Sequence, residues 1–241
     1  MVSIMARKLV LSARAESVRS KTDIAFADTG WAKVFTEFHT NVEAIKTKFC
    51  LIDDTSESVP TNLAEDIYRS QIVFLESALD YFMHRLCIFA MRQMYEGDLD
   101  QSDAYRNLMI PVAQVVEALK HPEDQAWVGT AIIGYHSTKT YMSSKDIKGQ
   151  LRMIFNTKGV FDKVACKMYA REDLDRKPEE ELSSRLDEYF SRRNKIAHQA
   201  DCNHETGEQY PIDRSYVETA IRDVDCFVQA LQEIIKDSFS E

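Results

Sequence analysis

The longest uninterrupted helical pattern of this sequence, over about residues 62–96, constrains its fold more than any other feature. Apolar side chains recur along it on one predicted helix face, at Ile67, Phe74, Ala78, Phe82 and Phe89. The chain of 241 residues contains only 7 glycines and 5 prolines, so there are few residues that would interrupt long helices. These features predict an all-α fold.

Shorter patterns before and after this segment add further helices. Residues 30–50 are amphipathic, with apolar positions at Trp31, Val34, Phe38, Val42 and Ile45. A polar linker over 53–60 ends in proline, and we therefore expect a helical N-terminal extension over 1–60 and the main helical domain over 61–241. Several short inserted helices are predicted within 103–170.

Two more amphipathic helices are predicted near the C-terminus. The first begins near Pro178, with three glutamates in its first turn where the helix dipole favours negative charge, and runs to about Ala200. A polar loop over 201–209 follows it. The last helix is expected to begin near Ser215, because Ser215-Tyr216-Val217-Glu218 fits a capping box.

Composition and charge restrict the classes of function. The formal net charge of −9 argues against a broad nucleic-acid-binding face, although a small basic site on an acidic protein is compatible with it. No apolar run approaches the roughly 18 residues of a membrane span. The 5 cysteines lack CxxC spacing and flanking histidines, so we expect reduced, mostly buried thiols in a cytoplasmic protein without metal or cofactor. The N-terminus is a basic arm without the apolar segment of a signal peptide.

The helix predicted from Pro178 contains an arginine where its apolar face should continue. Its apolar side chains recur at spacings of four, four and seven residues, at Leu182, Leu186, Phe190 and Ala197. Arg193 falls on this same face, although an arginine is rarely buried without a partner. Five residues later comes His198, a side-chain type that titrates near neutral pH. Because local rules are broken mostly at functional sites, this segment is the main candidate for function.

The segment Arg193-Asn194-Lys195-Ile196-Ala197-His198 resembles the signature of the HEPN superfamily, in which an arginine and a polar residue precede a histidine. The long helix around residues 75–82 resembles the first long helix of such domains. A loop and a terminal amphipathic helix follow the motif, as they do in that superfamily. The resemblance covers about residues 62–238.

The resemblance implies a HEPN-like helical bundle that forms a homodimer with the motif helices near its two-fold axis. Many members are metal-independent ribonucleases of toxin–antitoxin, phage-defence or CRISPR systems, and others are non-catalytic modules. The resemblance therefore implies an endoribonuclease that acts on RNA and is controlled by an antitoxin or another regulatory protein. The alternative is a non-catalytic dimerisation or nucleotide- or protein-binding module.

The residue types of the motif suit RNA cleavage by the RNA's own 2′-hydroxyl, which gives a 2′,3′-cyclic phosphate and a 5′-hydroxyl. Histidine exchanges protons near neutral pH, so His198 is the expected general acid/base. Arginine can donate two hydrogen bonds to one phosphate, so Arg193 is the expected phosphate-binding and charge-stabilising residue. A two-fold dimer would supply one histidine for each proton transfer.

Helix geometry separates the two main side chains of the motif. Five steps of about 100° place His198 roughly 140° from Arg193, so the two converge only if the helix distorts or a partner supplies one of them. Asn194 shares a face with His198 and is expected to orient the imidazole or to contact phosphate. Arg192 and Lys195 point elsewhere and are expected to bind the RNA backbone.

A polar stripe on the long helix leaves two interpretations open. Its members are Arg69, Glu76, Asp80 and His84. The usual interpretation is a solvent-exposed face in which Asp80 pairs with His84. The alternative is that Glu76 or Asp80 faces the motif helix as a supporting acid and pairs with Arg193. Arg193 could equally form a purely structural ion pair, with His198 favoured at the helix end only by the dipole.

Overall fold

A computed structural model describes residues 30–53, 59–120, 126–137, 139–155, 159–170 and 174–239. Within these ranges the chain consists of helices and connecting segments, and strand-type pairing is limited to one isolated bridge between Cys202 and Gln209. The predicted all-α fold is confirmed. Among the helices described, none combines the length and the apolar character that crossing a membrane would require.

The described ranges contain ten α-helices. They are α1 (Gly30–Lys46), α2 (Cys50–Asp53), α3 (Thr61–Glu96), α4 (Asp103–Arg106), α5 (Val112–Lys120), α6 (Ala126–His136), α7 (Ser144–Ile154), α8 (Val160–Met168), α9 (Pro178–Gln199) and α10 (Arg214–Phe239). A single 3-10 turn, Thr47–Phe49, joins α1 to α2. Both α3 and α9 begin and end within one residue of the predicted bounds.

Helix α3 is the central element and packs against α1, α6, α7, α9 and α10. Apolar side chains of α1 and α3 join those of α7–α10 in one hydrophobic core. From α1, the rings of Phe35 and Phe38 each lie 5.2 Å, centroid to centroid, from the ring of Phe82. The linker over 53–60 therefore separates two segments that share a core.

The buried face of α3 differs from the predicted stripe. Ala78 and Phe82 are buried as expected, but Phe74 is 49 % exposed. Most of the buried apolar positions fall outside the stripe, at Ile72, Leu75, Leu79, Met83, Leu86, Ala90, Met91 and Met94. The reason is that α3 is surrounded by several helices, so its buried surface is wider than one face.

The predicted capping box at the start of α10 is wrong. Asp213 caps the helix instead, because its Oδ1 accepts a hydrogen bond of 2.8 Å from the backbone N–H of Tyr216. Glu218, the expected second half of the box, accepts instead from Arg214 Nε at 2.7 Å. Helix α10 accordingly begins before Ser215.

Candidate functional site at the end of helix α9

The fully buried residues of helix α9 lie in its first three turns, and Ile196 further along is only partly buried against the core. Leu182, Leu186 and Tyr189 are buried, whereas Ala197 is exposed, so the predicted apolar face does not extend to the motif. The backbone remains α-helical to Gln199. The helix therefore does not distort before His198, and Arg193 and His198 of one chain point about 140° apart.

Arg193 lies beside Glu76, as one of the two interpretations of the polar stripe expects. Glu76 is completely buried, and neither of its carboxyl oxygens has a hydrogen-bond partner among the described residues. Burial raises the pKa of Glu76 to about 8, Arg193 opposes this rise, and Asp80 adds to it. The positive charge of Arg193 favours the ionised form of Glu76, and no direct hydrogen bond joins the two side chains in the described structure.

The interpretation of the stripe as a solvent-exposed face is wrong for Arg69 and Glu76, which are both buried. The same interpretation fits Asp80 and His84 better, because both are only half-buried. Asp80 Oδ1 and His84 Nε2 lie 3.8 Å apart. Asp80 also accepts a hydrogen bond from the backbone N–H of Tyr141. Asp80 therefore binds the segment that precedes α7.

Asn194 contacts Arg193 in the structure. Its Oδ1 accepts a hydrogen bond of 3.0 Å from Arg193 Nη1, and Arg193 Nε is buried without a partner among the described residues. Asn194 is therefore placed to orient the guanidinium, while the expected contact with the imidazole is not formed. The ring of His198 is exposed in the last turn of α9 and makes no hydrogen bond or ion pair within the described ranges.

Arg192 lies inside a polar cluster that joins three distant segments. Its Nη2 donates to Asp201 Oδ2 at 2.7 Å, and Arg69 Nε donates to the same oxygen at 3.0 Å. The backbone carbonyl of Tyr210 accepts from both arginines, at 3.2 Å from Arg192 and 2.9 Å from Arg69. Asp201 is completely buried, and its Oδ1 has no partner among the described residues. This arginine–aspartate cluster ties the end of α9 to the start of α3.

The backbone that follows His198 adopts an uncommon conformation. Ala200 and Asp201 both have positive φ, of 49° and 58°, which costs a residue other than glycine about 1–2 kcal/mol. The backbone carbonyl of Lys195 accepts the N–H of Ala200 and that of Asp201. The cluster around Asp201 offsets the strain and fixes the direction in which the chain leaves the motif helix.

Lys195 is exposed, with Nζ 5.1 Å from the centre of the Tyr210 ring. Tyr210 thus links Lys195 to the arginine–aspartate cluster through its ring and its carbonyl. Lys195 and His198 are three residues apart and lie on neighbouring positions of the helix surface. The exposed polar side chains of the motif are therefore one cation and one histidine.

Sequence reasoning missed Asp201 and the part played by Arg69. The two residues are 132 positions apart, and no local pattern links them. The only local signal was an aspartate directly after the predicted end of a helix, which is a common and unspecific arrangement. It also missed Asp223, whose Oδ2 accepts from Arg185 Nη1 at 2.8 Å and from the Tyr189 hydroxyl at 2.7 Å.

Comparison with known proteins places the chain in no family. No protein-family model, curated protein or solved structure matches the chain significantly. Within the described ranges, no group of histidine, cysteine, aspartate or glutamate side chains could hold a metal ion. Any function must therefore be argued from the geometry of the residues and from the sequence resemblance.

Proposed function

We propose that the chain is a metal-independent endoribonuclease of the HEPN type that acts as a homodimer. The observation that carries the proposal is the unbroken α9 helix, which points Arg193 and His198 of one chain away from each other. Two such helices close to a two-fold axis let each chain provide what the other lacks. The exposed His198 leaves the last turn of α9 open for such an approach.

In the proposed reaction, His198 of one chain accepts the proton of the 2′-hydroxyl, whose oxygen forms a bond to phosphorus. The bond from phosphorus to the 5′-oxygen breaks, and that oxygen receives a proton from His198 of the partner subunit. Arg193 neutralises the charge on the phosphorane, with Asn194 holding its guanidinium.

Lys195 carries the proposed contact with the RNA backbone, because it is the exposed cation next to His198. The Nη2 group of Arg192 donates instead to protein acceptors, namely Asp201 and the carbonyls of Tyr210 and Pro211. Its contribution to RNA binding is therefore proposed to be indirect, through the loop that follows α9. A site this small agrees with the acidic charge of the whole chain.

The proposed biological setting rests on the HEPN resemblance alone. It is a cytoplasmic toxin or phage-defence effector that cleaves RNA and is silenced by an antitoxin or another regulatory protein. Such a regulator would need to cover the exposed surface around His198.

The test is RNA cleavage by the purified full chain in EDTA, comparing wild type with Arg193→Ala and His198→Ala. We expect the wild type to produce 2′,3′-cyclic phosphate ends and each variant to lose at least about 100-fold in rate. His204→Ala serves as the matched control, since His204 is an exposed histidine of the following loop. Cleavage by His198→Ala at the wild-type rate would show that the assignment of His198 is wrong.

The second candidate is a non-catalytic module for dimerisation or for binding a nucleotide or protein. It is favoured by the internal bonds of Arg192 and by the lack of any partner that would orient the His198 ring in the described structure. It predicts that the wild type leaves RNA intact while Arg193→Ala still changes the oligomeric state. A chain that neither cleaves RNA nor dimerises through α9 would exclude the nuclease and the dimerisation module and would leave only the binding of a nucleotide or protein.

A further inference from the structure

The most exposed apolar surface in the described ranges lies on α5. Its members are Met109, 86 % exposed just before the helix, and Val112, Val115, Val116 and Leu119 on the helix, with Val112 at 76 % and Leu119 at 73 %. No residue of α5 is buried. We call these five residues the α5 stripe.

The α5 stripe points away from the rest of the protein. Helix α5 makes its main contact with α6, and its half-buried residues Gln114 and Ala118 share one face. At about 100° per residue, the four helical members of the stripe lie within roughly 100° of each other on the opposite side. An exposed apolar face of this kind on a water-soluble surface marks an interaction site.

Charge on α5 favours an uncharged partner surface. Glu117 and Lys120 are the two charged residues of the helix, and they pair with each other, Nζ to Oε2, at 2.9 Å. Because each charge is already paired, neither requires an opposite charge on the partner surface. In an antiparallel pair of α5 helices centred between Val115 and Val116, Glu117 faces Gln114 of the second helix and no like charges meet.

The size of the stripe agrees with contact between two copies. From the exposed fractions, two stripes together bury on the order of 1,000 Å², near the lower limit for a specific protein interface. The spacing of Met109, Val112, Val116 and Leu119 is three, four and three residues, which is the repeat of a helix pair that packs side by side.

We propose that the α5 stripe is a self-association surface on which α5 of a second copy of this chain packs in antiparallel orientation. This interface is separate from the one proposed at α9. Helix α6 packs with α3 around Met91, whereas Asp201 binds Arg69 near the other end of α3. Because α3 is about 54 Å long, the two surfaces lie at opposite ends of the molecule.

The first test is the mass of the full chain in solution from about 0.1 to 100 µM, for wild type and for Val112→Lys/Leu119→Lys. Both residues are exposed, so the fold should persist, which circular dichroism checks. We expect the largest wild-type species to halve in mass in this variant. Leu63→Lys, at an apolar position on α3 that is 51 % exposed, should leave the mass unchanged. Equal masses for wild type and the double variant at all concentrations overturn the proposal.

The second test is disulfide cross-linking of Val116→Cys under mild oxidation. Val116 lies next to the proposed two-fold axis, so a 116–116 bond between two copies should form at least about 10-fold faster than any bond in the wild type. Contrary to the expectation of mostly buried thiols, Cys50, Cys166 and Cys226 are exposed in the native chain. Bonds at these three cysteines set the background, which peptide mapping resolves. Cross-linking of the variant at the background rate would contradict an antiparallel α5 pair.

Discussion

The two halves of α3 bury different kinds of side chain. Positions 69, 76, 83 and 90 repeat every seven residues along one face, and all four are buried. The first two are Arg69 and Glu76, and the last two are Met83 and Ala90. The same helix face is therefore charged where it meets the end of α9 and apolar further along.

This difference separates what stabilises the fold from what the candidate site needs. Apolar burial in the second half is favourable without any requirement for a partner group. Buried charge in the first half is unfavourable unless it is paired, and Glu76 keeps both oxygens without a hydrogen bond in the described structure. An apolar residue at position 76 would avoid this cost, and Arg193 is the neighbouring charge that lowers it by favouring the ionised form of Glu76.

Phe82→Ala is expected to produce the largest loss of stability. Phe82 is buried in the second half of α3 against the rings of Phe35 and Phe38, so its removal leaves a cavity between α3 and α1. We expect a loss of about 3–5 kcal/mol in the free energy of unfolding, measured by urea denaturation. A loss below about 1 kcal/mol would show that α1 does not depend on this contact.

Asp201→Ala tests the charged half and should cost about 3 kcal/mol. It removes the carboxylate that accepts hydrogen bonds from Arg69 and Arg192, and leaves the buried Arg69 and the half-buried Arg192 without that partner. Asp201→Asn keeps the shape and an acceptor oxygen, and we expect it to lower the free energy of unfolding clearly less than Asp201→Ala does. Equal losses in the two variants would mean that the charge of Asp201 contributes nothing and that only its shape matters.

Glu76→Gln should stabilise the protein by an amount that grows with pH. The pKa of Glu76 is raised to about 8, above its unfolded value near 4.5. The contribution of its protonated form to the free energy of unfolding is therefore fully present below pH 4.5 and is lost as the pH rises to 8. Relative to wild type, the variant should gain about 3 kcal/mol more at pH 9 than at pH 6. Urea denaturation at both pH values measures this, and an equal effect at both would contradict a raised pKa.

Met83→Leu is the matched change in the apolar half, seven residues further along the same face. It conserves volume and carries no charge, so we expect a change below about 1 kcal/mol that is the same at pH 6 and pH 9. A pH-dependent effect of Met83→Leu would indicate that the two halves of α3 are coupled, and the comparison drawn between them would fail.

The sequence predicted helix positions well because periodicity is a local property. The bounds of α3 and α9 and the all-α fold follow from apolar spacing and from the scarcity of glycine and proline. The burial of particular faces was predicted less well. Phe74 and Ala197 were expected inside and are exposed, because burial depends on which helices pack alongside.

The candidate site was predicted only in part for the same reason. The motif residues were identified from the pattern of a single helix. That Glu76 lies beside Arg193 was only one of two open interpretations. The bond between Arg69 and Asp201 spans 132 residues, and two left-handed residues at the end of α9 create the position of Asp201. Neither feature leaves a local signal in the sequence.

The measurement that tests the proposed shared site most directly is RNA cleavage by mixtures of wild type and His198→Ala at constant total protein. If each site needs His198 from both chains, a statistically exchanged equal mixture keeps about a quarter of the wild-type activity. If each chain acts alone, the mixture keeps about half. The account predicts the quadratic dependence on the wild-type fraction. A linear dependence, or a wild type that leaves RNA intact in EDTA, would contradict it.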